Sequence, residues 1–213
     1  MKIDHHPDES TLMSYAAGSL PEPLSAVVAA HIELCPDCAH EVRAMERIGA
    51  TLFEVLAPAS VGLTAGQAFA GAAPSLAATA AYVDTRPTAS VLTRLLGGEL
   101  ADVHWKRLGF GIWHYPIKLS PNSKGDLRLI KVAPGQVMPD HGHGGSELTL
   151  ILSGSYSDEF GTYRSGDLSD LGDDVEHQPV SDPVEGCVCL IASERKARFK
   201  DVLARIVQPL TGL

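Results

Sequence analysis

The 213 residues suit two modest domains, and the 45% hydrophobic content is enough to build their cores. The net charge of −9 is unevenly distributed, because residues 1–85 carry −7 and residues 86–213 carry −2. This charge argues against DNA as a direct ligand, since phosphate binding needs basic patches. A basic protein partner fits the acidic N-terminal part better, although an acidic surface kept for solubility explains the charge equally well.

The cysteines and the first residues indicate where the protein works. The chain does not begin with the charged, apolar and small-residue pattern of a signal peptide. Two of the four cysteines lie in a metal-binding pattern, which argues against a secreted disulfide scaffold. We therefore expect a cytoplasmic protein with no membrane association.

Three amphipathic helices are predicted in the first part of the chain. Gly18 is a C-cap candidate for the first helix, and Ser19 with Glu22 has the capping-box spacing that begins a second one. A long third helix is predicted from Pro36, and part of its apolar stripe can remain for a partner because so short a bundle buries little. That stripe contains Val42, Met45, Leu52 and Leu56.

A pattern of histidines and cysteines in this helical part is typical of a zinc site. The spacing H-x3-C-x2-C places His31 one helical turn before Cys35, and Cys38 in the first turn of the next helix. His6 completes a tetrahedral set of two nitrogens and two sulfurs, with His5 as an alternative to it. Such a closed site is structural, because no position is open to a substrate. The competing interpretation is a pair of ordinary or redox-active thiols.

A long uncharged stretch separates the two parts of the chain. It lies between Glu54 and Asp84 and is long enough to span a bilayer. Its prolines, glycines and many alanines argue against a membrane helix, so we predict a loop and one Ala-rich helix from Thr64 to Val83. The predicted organisation is a helical domain over 1–85, a linker over 86–95 and a second domain over 96–213.

The second domain contains another set of metal ligands, His141, His143 and Glu147. On one extended strand, this spacing directs all three side chains to the same face. His177 follows a turn-rich stretch and is expected on a return strand that Gly166 opens. Three imidazoles and one carboxylate suit zinc, iron(II), manganese or nickel, and the sequence does not choose among them. The competing interpretation is a polar strand with surface histidines.

Cys187 and Cys189 alternate on a predicted strand and therefore face the same side. Two positions apart on one strand, they are poorly placed to form a disulfide with each other. The favoured interpretation is a pair of buried small side chains. The alternative is a redox pair near the metal, whose oxidation transmits a signal.

The second ligand set resembles a known family. The spacing G-x5-H-x-H-x3-E-x6-G from Gly135 to Gly154 resembles the first cupin motif at every position. Gly166 and His177 match part of the second cupin motif. The resemblance covers roughly residues 111–192 and implies a C-terminal cupin β-barrel with a bound metal, but it does not imply an inherited enzyme activity.

The whole chain, with its upstream histidine, H-x3-C-x2-C set, Ala-rich connection and cupin motif, resembles the zinc-binding anti-sigma factors of the ChrR type. The resemblance implies a small zinc-stapled helical bundle followed by the cupin barrel. It implies zinc at the N-terminal ligands, and zinc or another divalent metal in the barrel. It further implies that the bundle sequesters an extracytoplasmic-function sigma factor, and that the barrel senses singlet oxygen or related oxidants and triggers release.

A second function class stays open, in which the chain is a metal-dependent cupin dioxygenase or isomerase and the zinc bundle is a docking module. No separate acid–base residue stands out near the ligands. Asp140 and Glu176 are next to ligands, and neighbouring residues on a strand point to opposite faces. We therefore expect a transcription regulator that responds to oxidative stress, and not an enzyme.

Overall fold

A computed structural model of the chain describes residues 2–58, 89–142, 144–195 and 198–199. The predicted Ala-rich helix from Thr64 to Val83 lies outside the described residues, and so does His143. Within the ranges that are described, no helix is both long enough and apolar enough to cross a membrane.

Three helices form the N-terminal part: α1 Glu9–Ala16, α2 Glu22–Leu34 and α3 Pro36–Glu54. As predicted, α1 ends just before Gly18, whose φ of 67° is left-handed and suits glycine. Pro36 opens α3, also as predicted. The capping box predicted for α2 is wrong, because Pro21 is the N-cap residue. The Ser19 hydroxyl instead donates to the Ser14 carbonyl at 3.1 Å.

A short helix, α4 Val91–Leu96, follows. All but its last residue lie in the linker that the sequence predicted over 86–95. Its first residue, Val91, is buried, and the Val91 N–H donates to the Glu33 carboxylate at 2.8 Å. α4 is therefore fixed to the end of α2. A 3-10 helix, Leu100–Asp102, leads from it to the strands.

The described residues from 106 onward form eleven strands, which all pair antiparallel. They are β1 Lys106–Gly109, β2 Ile112–Pro116, β3 Asp126–Val132, β4 His141–Gly142, β5 Glu147–Ser157, β6 Thr162–Arg164, β7 Leu168–Leu171, β8 Glu176–His177, β9 Val180–Ser181, β10 Cys187–Ser193 and β11 Arg198–Phe199. One sheet has the order β1-β2-β3-β10-β5-β6, and β7 and β9 each pair with β5. The second sheet has the order β11-β4-β8.

Much of the central strands β3, β5 and β10 is buried on both faces, which explains largely apolar runs such as Leu148–Leu152. On β10, Leu190 and Ala192 pack toward the helices, whereas Cys187 and Cys189 belong to a separate cluster on the other face. This is the two-residue alternation of a strand. A single core consequently joins α2 to the larger sheet. It includes Leu24, Val27, Val28, Leu129, Leu150 and Leu190.

The predicted apolar stripe of α3 is only partly core. Val42 is buried and Met45 packs against the core, but Leu52 and Leu56 are 62% and 63% exposed. The second half of the helix therefore presents apolar side chains to its surroundings. We refer to this surface as the α3 patch. It consists of Ile48, Leu52, Phe53, Val55 and Leu56.

Candidate metal centres

The four residues predicted as zinc ligands come together where the N-terminal helices meet. The donor atoms of His6, His31, Cys35 and Cys38 all lie within 4.8 Å of one another. His6 Nδ1 is 3.4 Å from Cys35 Sγ and 3.2 Å from Cys38 Sγ. Zinc with bonds of about 2.1 Å to nitrogen and about 2.3 Å to sulfur places tetrahedral ligands about 3.6 Å apart. The observed spacing therefore fits zinc.

The buried ring of His31 is prepared to bind a metal. Its Nδ1 donates to the carbonyl of Gly166 at 3.1 Å, and its buried Nε2 has no hydrogen-bond partner among the described residues. Burial, and then the charge of His6, lowers the pKa of His31 to about 4. The ring is therefore neutral near pH 7, and a neutral imidazole with one nitrogen fixed by an outer partner is the form that binds zinc.

The state of the two thiols argues against a redox-active pair. Both are buried, and they are not joined to each other. Burial, followed by the hydrogen bond to Cys35, raises the pKa of Cys38 to about 12. A reactive C-x-x-C thiol has a lowered pKa instead. Bound to a metal cation, such a thiol is deprotonated outright.

His5, the predicted alternative to His6, lies outside this cluster. Its ring packs against Tyr163 with the ring centroids 4.4 Å apart. Its Nδ1 faces the carboxylate of Asp167, 3.4 Å from Oδ2. The structure therefore favours His6 as the fourth ligand of the first centre.

Three of the other predicted ligands come together inside the β domain. The donor atoms of His141, Glu147 and His177 lie within 4.8 Å of one another. His141 on β4 pairs directly with His177 on β8, and their ring centroids are 4.7 Å apart. Glu147 begins β5, in the larger sheet. The prediction that one continuous strand carries His141 and Glu147 is wrong, because two sheets bring the ligands together.

Both histidines of this second centre have a partner on the same nitrogen. His141 Nδ1 donates to the carbonyl of Pro139 at 2.8 Å, and His177 Nδ1 lies 2.9 Å from Asp158 Oδ2. These partners make Nε2 the ligand nitrogen of each ring. Sequence reasoning missed Asp158, because it stands 19 positions before His177 in a loop and belongs to no ligand motif.

The second centre opens onto a partly open cavity of about 70 Å³ between the two sheets. A cavity of this size holds water-sized molecules. Pockets for organic ligands are much larger, at about 300–1,000 Å³, so the cavity suits a small ligand. Besides the metal ligands, its wall includes Met138, Tyr156, Cys187, Cys189 and Ile191.

Cys187 and Cys189 face the same side of β10, as predicted, and both are buried and free of disulfides. Their mutual hydrogen bond, together with burial, raises the pKa of Cys189 well above its usual range. The Cys189 thiol donates to the Ile130 carbonyl at 3.7 Å. Both residues thus have the features of buried small side chains, and their redox function stays a prediction.

Comparisons with known proteins add to this geometry. Residues 94–197 match a family described as the ChrR cupin-like domain. The chain is 36% identical to the anti-sigma-E factor ChrR of Cereibacter sphaeroides over 212 residues, which is 98% of each chain. A crystal structure of Rhodobacter sphaeroides SigE with the anti-sigma ChrR matches at 34% identity and a TM-score of 0.76, covering 90% of this chain and 99% of that one.

A more distant match is an RmlC-like cupin protein from Ralstonia eutropha JMP134, at 19% identity and a TM-score of 0.42, covering 49% of this chain and 71% of that one. The family match and the SigE complex together show that the C-terminal part has a cupin-like β fold preceded by a few helices. This confirms the predicted order of a helical part and a cupin-like part.

Proposed function

This chain belongs to the family of the anti-sigma factor ChrR, and from that membership we propose that it binds and inhibits an extracytoplasmic-function sigma factor. The observation that carries the proposal is the extent of the similarity, which spans 98% of both chains and so includes both candidate metal centres. The related ChrR was crystallised with SigE. That relative is a regulator, so we assign this chain to the regulators and not to the enzymes.

The first centre, which we call the His/Cys cluster, consists of His6, His31, Cys35 and Cys38 and would serve as a structural zinc site. Its ligands come from the segment before α1, from α2 and from the start of α3, so one ion would join three parts of the chain. Structural zinc contributes about 10–16 kcal/mol of binding free energy in zinc-finger peptides. We infer that zinc holds the helices in the arrangement that the sigma factor recognises.

The sigma factor would bind the apolar surface that α1 and α3 share. Phe53 in the α3 patch is 76% exposed, and a groove beside it is lined by Met13 and Ala16 of α1 and by Met45 of α3. Exposed apolar patches of this kind mark interaction sites. The net charge of −7 over residues 1–85 complements a DNA-binding partner, whose own surface is basic.

The β domain would act as the sensor for release. Its cavity of about 70 Å³ brings candidate metal ligands and two thiols together in a space smaller than the usual pocket for an organic substrate. Singlet oxygen and related oxidants are small enough to enter it. The size of the cavity also argues against the alternative of a dioxygenase or isomerase. Oxidation there shifts sigma binding only if it favours one conformation of the protein over another.

Two variants separate holding the sigma factor from sensing the oxidant. The wild-type chain should co-purify with its sigma factor and repress the sigma factor's own promoter, and Cys38→Ser should do neither. His177→Ala should still repress but should not respond to light and a photosensitiser. Absence of sigma binding by the wild type would refute the anti-sigma function. Normal release by His177→Ala would instead exclude the cupin centre as the sensor and favour a signal at the zinc thiolates.

A further inference from the structure

The His/Cys cluster donates a hydrogen bond to a part of the chain far away in sequence. The turn between β6 and β7 lies against it, and the Gly166 carbonyl in this turn accepts the hydrogen bond from His31 Nδ1. The adjacent residue, Asp167, has a side chain that is only 3% exposed. This buried carboxylate belongs to neither candidate metal centre, so its surroundings require an explanation.

Asp167 binds the backbone of the segment that carries His6. Its Oδ1 accepts from the Asp4 N–H at 2.8 Å and from the His5 N–H at 3.2 Å, while Oδ2 accepts from the Arg164 N–H at 2.8 Å. In the reverse direction, the His5 carbonyl accepts from the Leu168 N–H at 3.1 Å. The turn of the β domain therefore forms hydrogen bonds to both N–H groups and a carbonyl of the segment that precedes His6.

These bonds fix the backbone just before His6, and the buried Pro7 and the Asp8 N–H, which donates to Asp170 Oδ2 at 3.0 Å, fix it just after. Residues 2–8 form no helix or strand, and His6 itself is exposed. His31, Cys35 and Cys38, by contrast, are buried at the junction of two helices. Fixing each backbone residue costs about 1–2 kcal/mol of conformational entropy, so a segment that is ordered beforehand binds a metal more tightly.

We propose that Asp167 is a positioning residue of the N-terminal zinc centre. It orders Asp4 and His5 so that the next residue presents Nδ1 to Cys35 and Cys38, while the neighbouring Gly166 orients His31. The β domain thereby becomes part of the zinc centre. The proposal rests on zinc binding by the four clustered ligands, as inferred above.

The protonation state of Asp167 agrees with this role. Burial alone would raise the pKa of Asp167, but the donated N–H groups of Arg164, Asp4 and His5 lower it below its usual value. The group is therefore a carboxylate with donors on both oxygens. An asparagine side chain at this position could accept only through its carbonyl oxygen. Its NH2 group would face backbone N–H groups, which are donors themselves.

The test compares Asp167→Asn with a matched control in the full-length chain. Asp182 also accepts two backbone N–H groups, from Val184 at 2.8 Å and Glu185 at 2.9 Å, but it lies in a turn that does not contact the His/Cys cluster. Asp182→Asn therefore removes a similar turn contact elsewhere. The readout is cobalt(II) titration followed by zinc displacement, because the charge-transfer absorbance of cobalt thiolate reports a centre in which cysteines are metal ligands, as in the His/Cys cluster.

Loss of an outer partner of a metal ligand typically weakens binding about 10–100-fold. Because Asp167 bonds the backbone next to His6 and not a ligand side chain, we expect a loss of about 10-fold, at the lower end of this range, in Asp167→Asn and no loss in Asp182→Asn. Equal affinities in wild type and Asp167→Asn would overturn the positioning role. Absence of the thiolate band in the wild type would be a different failure, because it would refute the zinc centre itself.

A measurement on the wild type keeps the proposal testable should Asp167→Asn fail to fold. If the turn stabilises zinc binding, then zinc stabilises the turn by the same factor. Removal of zinc should therefore accelerate hydrogen exchange at the Leu168 and Asp4 amides, while Leu190 in the centre of β10 stays protected. Unchanged exchange at Leu168 and Asp4 would overturn the proposal.

Discussion

The buried carboxylate of Asp158 contacts His177 with one oxygen and closes a turn with the other. Oδ2 lies 2.9 Å from His177 Nδ1, and Oδ1 accepts from the N–H groups of Phe160 and Gly161 at 2.9 and 3.1 Å. The loop between β5 and β6 is thereby fixed to a ligand of the second centre. The orientation of this ligand consequently depends on a residue outside the cupin motif.

Asp158→Asn should weaken metal binding at the second centre about 10–100-fold, because an amide holds the His177 tautomer less firmly than a carboxylate. Competition with a chelating dye measures the affinity. The neighbouring Glu159→Gln is the control, since Glu159 accepts from the Gln178 N–H at 3.1 Å and so bonds the backbone next to His177. An equal loss in both variants would indicate that the position of β8 matters, and not the tautomer.

The metal content should be two equivalents in the metal-replete chain, because the ligands form two separate clusters. Cys38→Ser and His177→Ala should each retain one equivalent, and the double variant should retain none. Elemental analysis of the purified proteins provides the measurement. A single equivalent in the wild type would contradict the two-centre interpretation.

Phe53→Asp should weaken sigma binding about 30-fold, which corresponds to about 2 kcal/mol and is typical of an aromatic hot spot. The substitution should leave zinc content unchanged, because Phe53 is exposed and is not one of the four clustered ligands. Phe110→Asp is a matched control on the β domain, where Phe110 is 84% exposed. Equal losses in the two variants would show that the α3 patch is not the binding surface.

Cys187 and Cys189 should react with a bulky thiol reagent at least about 100-fold more slowly in the native protein than in denaturant, since access requires local opening. Both are buried in the cavity wall. Labelling followed by peptide mass spectrometry distinguishes them from Cys35 and Cys38. Fast native labelling would show that the cavity admits large molecules, which would remove the main argument for a small oxidant.

Glu22→Gln should destabilise the protein at neutral pH but not in acid. Hydrogen bonds from the Ser120 N–H and hydroxyl, both at 3.0 Å, link Glu22 at the start of α2 to the loop before β3. The Ser120 N–H bond contributes most to lowering the pKa of Glu22 below its usual value. Because the pKa of Glu22 is lower in the folded protein, its carboxylate stabilises the fold at pH values above the unfolded-state pKa. This contribution is lost as the pH falls through the folded-state pKa.

Urea denaturation across the acid range measures this difference. The stability of wild type and Glu22→Gln should converge once the carboxyl is protonated in both states. Glu9→Gln is the control, because Glu9 occupies the first turn of α1 in the same way. A difference that persists unchanged in strong acid would contradict the assignment.

Residues whose positions depend on local spacing could be predicted from the sequence. The H-x3-C-x2-C pattern could be placed at a helix junction because helical periodicity and Pro36 determine where those side chains lie. Predictions from spacing were wrong where contacts between residues distant in sequence determine the structure. Ser19 and Glu22 have the distance of a capping box, yet the Glu22 carboxylate binds Ser120, which is 98 positions away.

The outer partners of the ligands were unpredictable for the same reason. Asp158 and Asp167 are ordinary loop aspartates in the sequence, and only the folded arrangement shows what they contact. The convergence of His141 with Glu147 was predicted for the wrong reason, because the chain leaves β4 and enters another sheet before Glu147. Parity along one strand carries no information about how two sheets face each other.

The bond between His31 and Gly166 also has a consequence for synthesis, because the two residues are 135 positions apart. At about 5–20 residues per second, a ribosome needs roughly 7 to 27 seconds to progress from one to the other. All four cysteine and histidine ligands of the first centre are thus available well before the turn that orders them. If Asp167 positions His6 as proposed, a nascent or truncated chain would bind zinc more weakly than the completed chain.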